Sequence, residues 1–222
     1  IHTANLDGTN IRRLTNEKHV WDSAPDWSPD GKTILFSREY RDANKSWKEE
    51  AWLMNADGTN KRQIKAIEGR AADFMKDGRL LFQSKVSPSQ ISIADIDGKN
   101  LIQLTNDKTN NMSPKISPDG SQIAYLSNRD GNQEVYVMNI DGTNQVRLTN
   151  NDIAEWGPAW STDGSKVFFS SQNVNGLYDI FKVNKDGTDI EKILSNASQS
   201  ATVFNLDQPS LQKLKNLRNV KW

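Results

Sequence analysis

The chain has 222 residues, enough to bury a core as one domain or as a ring of small similar units, and its 28 Lys plus Arg balance its 28 Asp plus Glu. Zero net charge argues against nucleic acid or an anionic membrane surface as the main partner; the absence of cysteine removes disulfides, thiolate metal sites and thiol catalysis. No apolar run approaches the roughly 20 residues that membrane insertion would need, and the opening IHTANLDGTN is not a signal peptide but starts in mid-phrase, so the chain reads as trimmed.

Residues 1–15 predict two short strands on either side of the turn NLDGTN. Residues 20–65 begin with PDWSPDG, continue through the apolar burst KTILFS and a charged loop around Trp47, and end with EEAWLMN, the turn ADGTN and the short strand KRQI. Residues 66–105 repeat this order in weaker form as DFMKDG, RLLFQS, ISIADIDGKN and LIQLTN. Residues 112–149 read PKISPDG, SQIAYLS and EVYVMNIDGTNQVRLTN; residues 156–194 read PAWSTDG, SKVFFSS, LYDIFKV and NKDGTDIEKIL. Short apolar runs rich in β-branched and aromatic residues, bounded by Gly, Pro and Asp, predict strands buried on both faces, and no convincing helical period interrupts them.

Two phrases thus recur out of phase. The acidic-Gly phrase falls at Asp7, Asp57, Asp97, Asp141 and Asp186, and the second phrase at Asp30, Asp77, Asp119 and Asp163, both with a period of about 44 residues. Each repeat predicts four antiparallel strands, with the SPDG-like corner between the first and second and the DG[TK] corner between the third and fourth. Gly takes positive φ at little cost and Asp tolerates left-handed conformations, which suits hairpin corners. An EF-hand would need three alternating ligands before its Gly and a distant Glu. Here Gly directly follows the second acidic position, so the phrase is read as a turn and no metal site is expected.

On both phrases the chain resembles the TolB-type β-propeller repeat, also called the WD40-like PD40 repeat. PDWSPDGKTILFS, PKISPDGSQIAYLSNRDG, VYVMNIDGTNQVRLTN and WLMNADGTN carry the resemblance over nearly the whole chain; MKDG at 75–78 departs from it, and it fades after Asn196. The resemblance implies an all-β fold: a β-propeller of four-stranded antiparallel blades, a single domain over 1–222. The reading taken is five blades, from units at 20–65, 66–105, 112–149, 156–194 and one split between 1–15 and 200–217. An incomplete or six-bladed ring, with LRNVKW opening another blade, is the alternative. It also implies a periplasmic, secreted or cell-surface bacterial protein that serves as a binding platform; a monomer is expected.

Blade topology sorts the loops. First-to-second and third-to-fourth corners share one monotonous face, and second-to-third loops share the other with the links between blades, where irregular sequence places binding groups. The links HVWDSAP, NNMSP and AEWGP, with EGRAA in the degenerate repeat, put Trp21, Asp22, Arg70, Asn111, Met112, Glu155 and Trp156 near the expected channel mouth, and Trp47 in the long 37–52 loop is a secondary contact. Trp beside polar groups is the usual composition of an interface hot spot. Trp27, Phe74 and Trp160 are expected to pack between blades.

No catalytic constellation emerges. His2 and His19 lie in no metal-ligand spacing, no G-x-S-x-G or GxGxxG occurs, and DWSPDGKT lacks the first Gly of a P-loop. The expectation is a non-catalytic propeller with no cofactor that recognises a protein or peptide. The alternatives are a glycan-binding propeller and a substrate-gating propeller of a larger peptidase or lyase.

Overall fold

The structure, a computed structural model, describes residues 1–5 and 7–197. Among the described residues every regular element is a β-strand. They fall into two compact units, Ile1–Asn106 and Asp107 onward.

The first unit opens with an antiparallel pair, β1 (His2–Thr3) and β2 (Arg12–Arg13). A seven-stranded antiparallel sheet follows in chain order: β3 (Val20–Trp27), β4 (Thr33–Arg41), β5 (Trp47–Asn55), β6 (Arg62–Phe74), β7 (Leu80–Ser84), β8 (Ile91–Ala94) and β9 (Ile102–Gln103). It is two four-stranded blades that share β6. The second unit holds two separate four-stranded blades: β10 (Asn111–Ile116), β11 (Gln122–Ser127), β12 (Glu134–Asn139) and β13 (Val146–Arg147), then β14 (Glu155–Trp160), β15 (Lys166–Gln172), β16 (Tyr178–Asn184) and β17 (Glu191–Ala197). The proposed blade-closing segment 200–217 lies outside the described residues.

Strand β6 departs from the expected link at EGRAA. It ends one blade by pairing Arg62 with Leu53 and Glu68 with Glu50, then begins the next by pairing Gly69 with Ser84. The other links follow Leu-Thr-Asn, in which the Thr hydroxyl caps a strand: Thr105 Oγ1 accepts the Ile91 N–H and Thr149 Oγ1 accepts the Val135 N–H, both at 2.9 Å. At the matching place β6 carries Lys65 and Ala66. Without the cap and the turn residues, the chain runs straight on. Gly69 makes the changeover possible, because a Cβ there would lie 2.0 Å from the Gln83 carbonyl oxygen.

Middle strands are buried on both faces, as their apolar runs predict. Alternate residues of β4 divide between two clusters: Ile34 and Phe36 pack with Leu14 and Met54, and Leu35, with its strand partner Leu53, packs with Phe74, Leu80 and Phe82 of the next blade. In the second unit Ala124, Leu126, Val135 and Val137 of one blade pack on Trp160, Val167 and Phe169 of the other. Trp160 also donates its indole N–H to the Lys115 carbonyl at 2.9 Å. Phe74 and Trp160 therefore pack between blades as expected, whereas Trp27 is 48% exposed. Trp27 lies on the first full blade, preceded in this unit only by the strand pair β1–β2.

The corners are hydrogen-bonded turns. Thr9, Thr59, Thr143 and Thr188 each give both backbone N–H and hydroxyl to Oδ1 of Asp7, Asp57, Asp141 and Asp186. These bonds hold the four carboxyls below their ordinary value. The left-handed non-Gly residue is the one after Thr, such as Asn10 at φ 53° and Asn144 at φ 52°, and not the Asp. The SPDG corners are tied differently: Ser28, Ser117 and Ser161 hydroxyls donate to Asp30, Asp119 and Asp163.

Candidate partner-binding site

Trp21, Asp22, Asn111, Met112, Glu155 and Trp156 sit where their blades' innermost strands begin; Arg70 lies midway along β6, and Trp47 opens β5, because the loop expected over 37–52 is strand except at 42–46. What the sequence suggested as links is strand here, because these residues pair with the second strand: Asp22 with Arg38, Asn111 with Ser127, Glu155 with Ser171. A bulge follows each of them, between Ser23 and Asp26, Met112 and Lys115, and Trp156 and Ala159. Ala24, Ser113 and Gly157 take left-handed φ of 48°, 51° and 58° within those bulges. A bulge re-aims side chains, so residues before it face differently from Trp27, Ile116 and the buried Trp160 after it.

Three residues before each Pro stand Asp22, Asn111 and Glu155, and each is tied into its own unit. Asp22 takes two hydrogen bonds from Arg38, Nε to Oδ1 at 2.7 Å and Nη2 to Oδ2 at 2.9 Å, with the side chains only 9% (Arg38) and 4% (Asp22) exposed. Arg38 also lies 3.3 Å from Glu17 and stacks 4.5 Å from the Trp52 ring centre. Asn111 is fully buried; it donates to Asp107 at 3.0 Å and accepts from Arg129 at 3.1 Å. Arg129 in turn stacks 4.7 Å from the Tyr136 ring centre, which makes it the counterpart of Arg38. Sequence reasoning missed both arginines. Their signal was an Arg just after the second strand's apolar burst, in FSRE and LSNRDG.

Glu155 is fully buried. Its Oε1 accepts from Asn151 Nδ2 at 2.9 Å, and Ser171 and Glu134 approach the same carboxyl. Burial pushes this carboxyl up to about 7, against the Asn151 hydrogen bond that favours its charged form; the neighbouring Glu134 charge pushes it further up.

The surface is made by aromatic residues. Trp21, 60% exposed, and Trp47, 40% exposed, stack at 5.7 Å between centroids with a 37° tilt, so the structure brings together two residues 26 positions apart. A cavity of about 170 Å³ adjoins Trp21 and Asp22, with Arg13, Glu17 and Val20 in its wall. In the same unit the Arg70 side chain, about half exposed, pairs with Glu39 and lies 3.7 Å from Glu49. In the second unit Trp156 is 40% exposed, while Met112 packs partly buried against the core.

Four-stranded antiparallel blades, joined in sequence by short links and packed on one another through apolar faces, define a β-propeller protein. Residues 85–212 match the family described as the Tricorn protease N-terminal beta propeller domain, and the chain belongs to that family, with repeats of the TolB type. It is 34% identical over 194 residues to a protein TolB homolog from Chlorobium luteolum, covering 85% of this chain and 42% of that one. The chain spans less than half the length of the curated relatives it matches. TolB from Acinetobacter baumannii superposes with a TM-score of 0.70 at 19% identity, over 87% of this chain and 48% of that one. An oligogalacturonate lyase from Vibrio parahaemolyticus superposes with a TM-score of 0.62 at 12% identity, over 87% and 59%, so the fold by itself does not separate binding from catalysis.

Proposed function

We propose that this chain is a non-catalytic, monomeric propeller that binds a protein or peptide on the face formed by the second-to-third loops and the starts of the innermost strands. The observation that carries the reading is the solvent-facing Trp21–Trp47 pair. Two large rings held together and left open to water are a preformed anchor, and their ordering entropy is already spent before a partner arrives. Flanking charges are engaged within the unit, Arg38 with Asp22 and Arg70 with Glu39, so a partner meets an aromatic surface with a satisfied polar rim. The TolB resemblance supports a bacterial periplasmic, secreted or cell-surface setting, and one of the matched relatives is a Tol-Pal system protein.

The test is capture from a bacterial envelope extract and on a peptide array, with Trp21→Ala, Trp47→Ala and Trp156→Ala variants of unchanged thermal stability. Each Trp at a hot spot is expected to cost about 2 kcal/mol of binding, some 30-fold in affinity. If the wild-type chain captures nothing that the Trp21→Ala/Trp47→Ala double variant fails to capture, the site is wrong. Glycan-array binding at the same surface would replace the peptide with a carbohydrate.

A further inference from the structure

We infer that Glu134 and Glu155 share one proton, and that this O–H···O⁻ bond fastens the two blades of the second unit to each other. The residues open different blades' strands, Glu134 at the start of β12 and Glu155 at the start of β14. Both are fully buried. In each carboxyl one oxygen is supplied with donors. Glu134 Oε1 accepts from Arg147 Nη2 at 2.9 Å and from the Asn151 N–H at 3.0 Å; Glu155 Oε1 accepts from Asn151 Nδ2 at 2.9 Å. The other oxygen of each, Oε2, is buried and receives no hydrogen bond among the described residues. Asn151 bonds both carboxyls, its N–H to Glu134 and its side-chain amide to Glu155, which holds the two side by side, and Glu134 is among the groups that push the Glu155 carboxyl up.

Two ionised carboxylates offer only acceptors. Buried against each other, they would set lone pair against lone pair in a low dielectric, which costs several kinds of stabilisation at once: desolvation, repulsion and two missing donors. One proton on one Oε2 removes the repulsion, supplies the missing donor and leaves a single buried charge. Arg147 decides where it resides. Its guanidinium pairs with Glu134, so the proton belongs to Glu155 and is donated to Glu134.

The groups facing the pair from the surrounding strands fit this assignment. β13 supplies Arg147, which also lies 3.3 Å from Asp130 of the loop before β12. β15 supplies Ser171, β11 supplies Ser127 opposite Glu134, and β10 supplies Asn111 opposite Ser127. Arg129 sits at the far end of that row, with its Nε donating to Ser127 Oγ at 3.0 Å and its Nη2 3.0 Å from Asp107. It is thus occupied with its own partners. Arg147 is divided between Glu134 and Asp130, and the shared proton neutralises the remaining carboxyl, Glu155.

Loss of that proton to solvent leaves two charges at the junction. The link from Asn151 to Glu155, and the exposed Trp156 beside it, then lose their anchor. The Glu155 value rises in the fold from its ordinary 4.5 to about 7. The junction is therefore strongest below pH 4.5 on this account, weakens as pH rises through about 7, and stays weak above it.

The experiment is a ¹³C side-chain NMR titration of glutamate-labelled full chain, run beside urea midpoints across the same pH range, for wild type and Glu155→Gln. One glutamate carboxyl is expected to titrate near pH 7, binding its proton about two orders of magnitude more tightly than an exposed glutamate, and its resonance should vanish in Glu155→Gln. The wild-type urea midpoint should fall through that pH range while the Glu155→Gln midpoint stays level, because an amide N–H donates to Glu134 at every pH. If all glutamates are already ionised at pH 6, with or without a chelator present, the inference fails. It also fails if the two proteins show the same pH slope. The NMR arm reads the wild type alone and stands even if the variant does not fold.

Discussion

Replacing Arg38 with Ala asks whether Asp22 serves the fold or a partner. Both side chains are buried, the two hydrogen bonds are short, and the guanidinium lies over Trp52. Removing one partner of such a pair strands a charge, which costs about 3–5 kcal/mol. The contact to Glu17, a group about one-third exposed, adds little, of the order of 0.5 kcal/mol. Asp22→Asn keeps the shape and one acceptor, and Arg38 retains Glu17, so its cost should be smaller, about 1–3 kcal/mol. Because Arg38→Ala with Asp22→Asn leaves no stranded carboxylate, the double variant should recover at least about 1 kcal/mol relative to the sum of the singles. Urea unfolding followed by tryptophan fluorescence and far-ultraviolet circular dichroism measures all three. A loss below about 1 kcal/mol for Arg38→Ala, or additive singles, would refute the reasoning and return Asp22 to the binding surface.

Three further outcomes follow from single contacts. Gly69→Ala should cost at least about 2–3 kcal/mol in urea midpoint, because its Cβ would collide with the Gln83 backbone at the point where β6 passes between blades. Trp160→Ala should cost about 3–5 kcal/mol, whereas Trp27→Ala, at a half-exposed ring in the equivalent strand position, should cost under about 1 kcal/mol; equal losses would mean that Trp27 is covered. Asp119, lowered to about 2 by hydrogen bonds from the Ser117 hydroxyl, the Ser121 N–H and the Ser121 hydroxyl, contributes stability above its ordinary 3.8 that is lost as pH falls through about 2, so Asp119→Ala should flatten the acid limb of the unfolding curve.

The blade was legible because its signals are local. Period-2 burial, paired turn phrases and Leu-Thr-Asn ends each depend on a few adjacent residues, and the strands, corners and face-to-face packing all follow from them. The exceptions have causes beyond that range. β6 continues because Lys65 and Ala66 stand where other repeats have Thr and Asn, a loss noticed only once Thr105 and Thr149 are seen to cap strands. Trp27 matches Trp160 in sequence position but not in burial, since packing depends on the neighbouring blade and not on the residue's own repeat.

The candidate site was legible for its aromatics and not for its polar residues, and one physical distinction accounts for both. A large ring at a strand start is informative by itself; a carboxylate is informative only with its partner. Asp22 finds Arg38 16 positions later and Asn111 finds Arg129 18 positions later, each across one strand pairing. Position three before the Pro is thus the place where a blade satisfies a buried polar group, by an ion pair in the first blade, an amide network in the third and a carboxyl beside Glu134 in the fourth. The second blade has Gly69 there and needs no partner. Since this row is tied within its own units, the proposed binding would rest on exposed rings, Trp21 and Trp47 in the first unit and Trp156 in the second. Arg70 is engaged as well, with Glu39, so electrostatic steering would have to come from the partner.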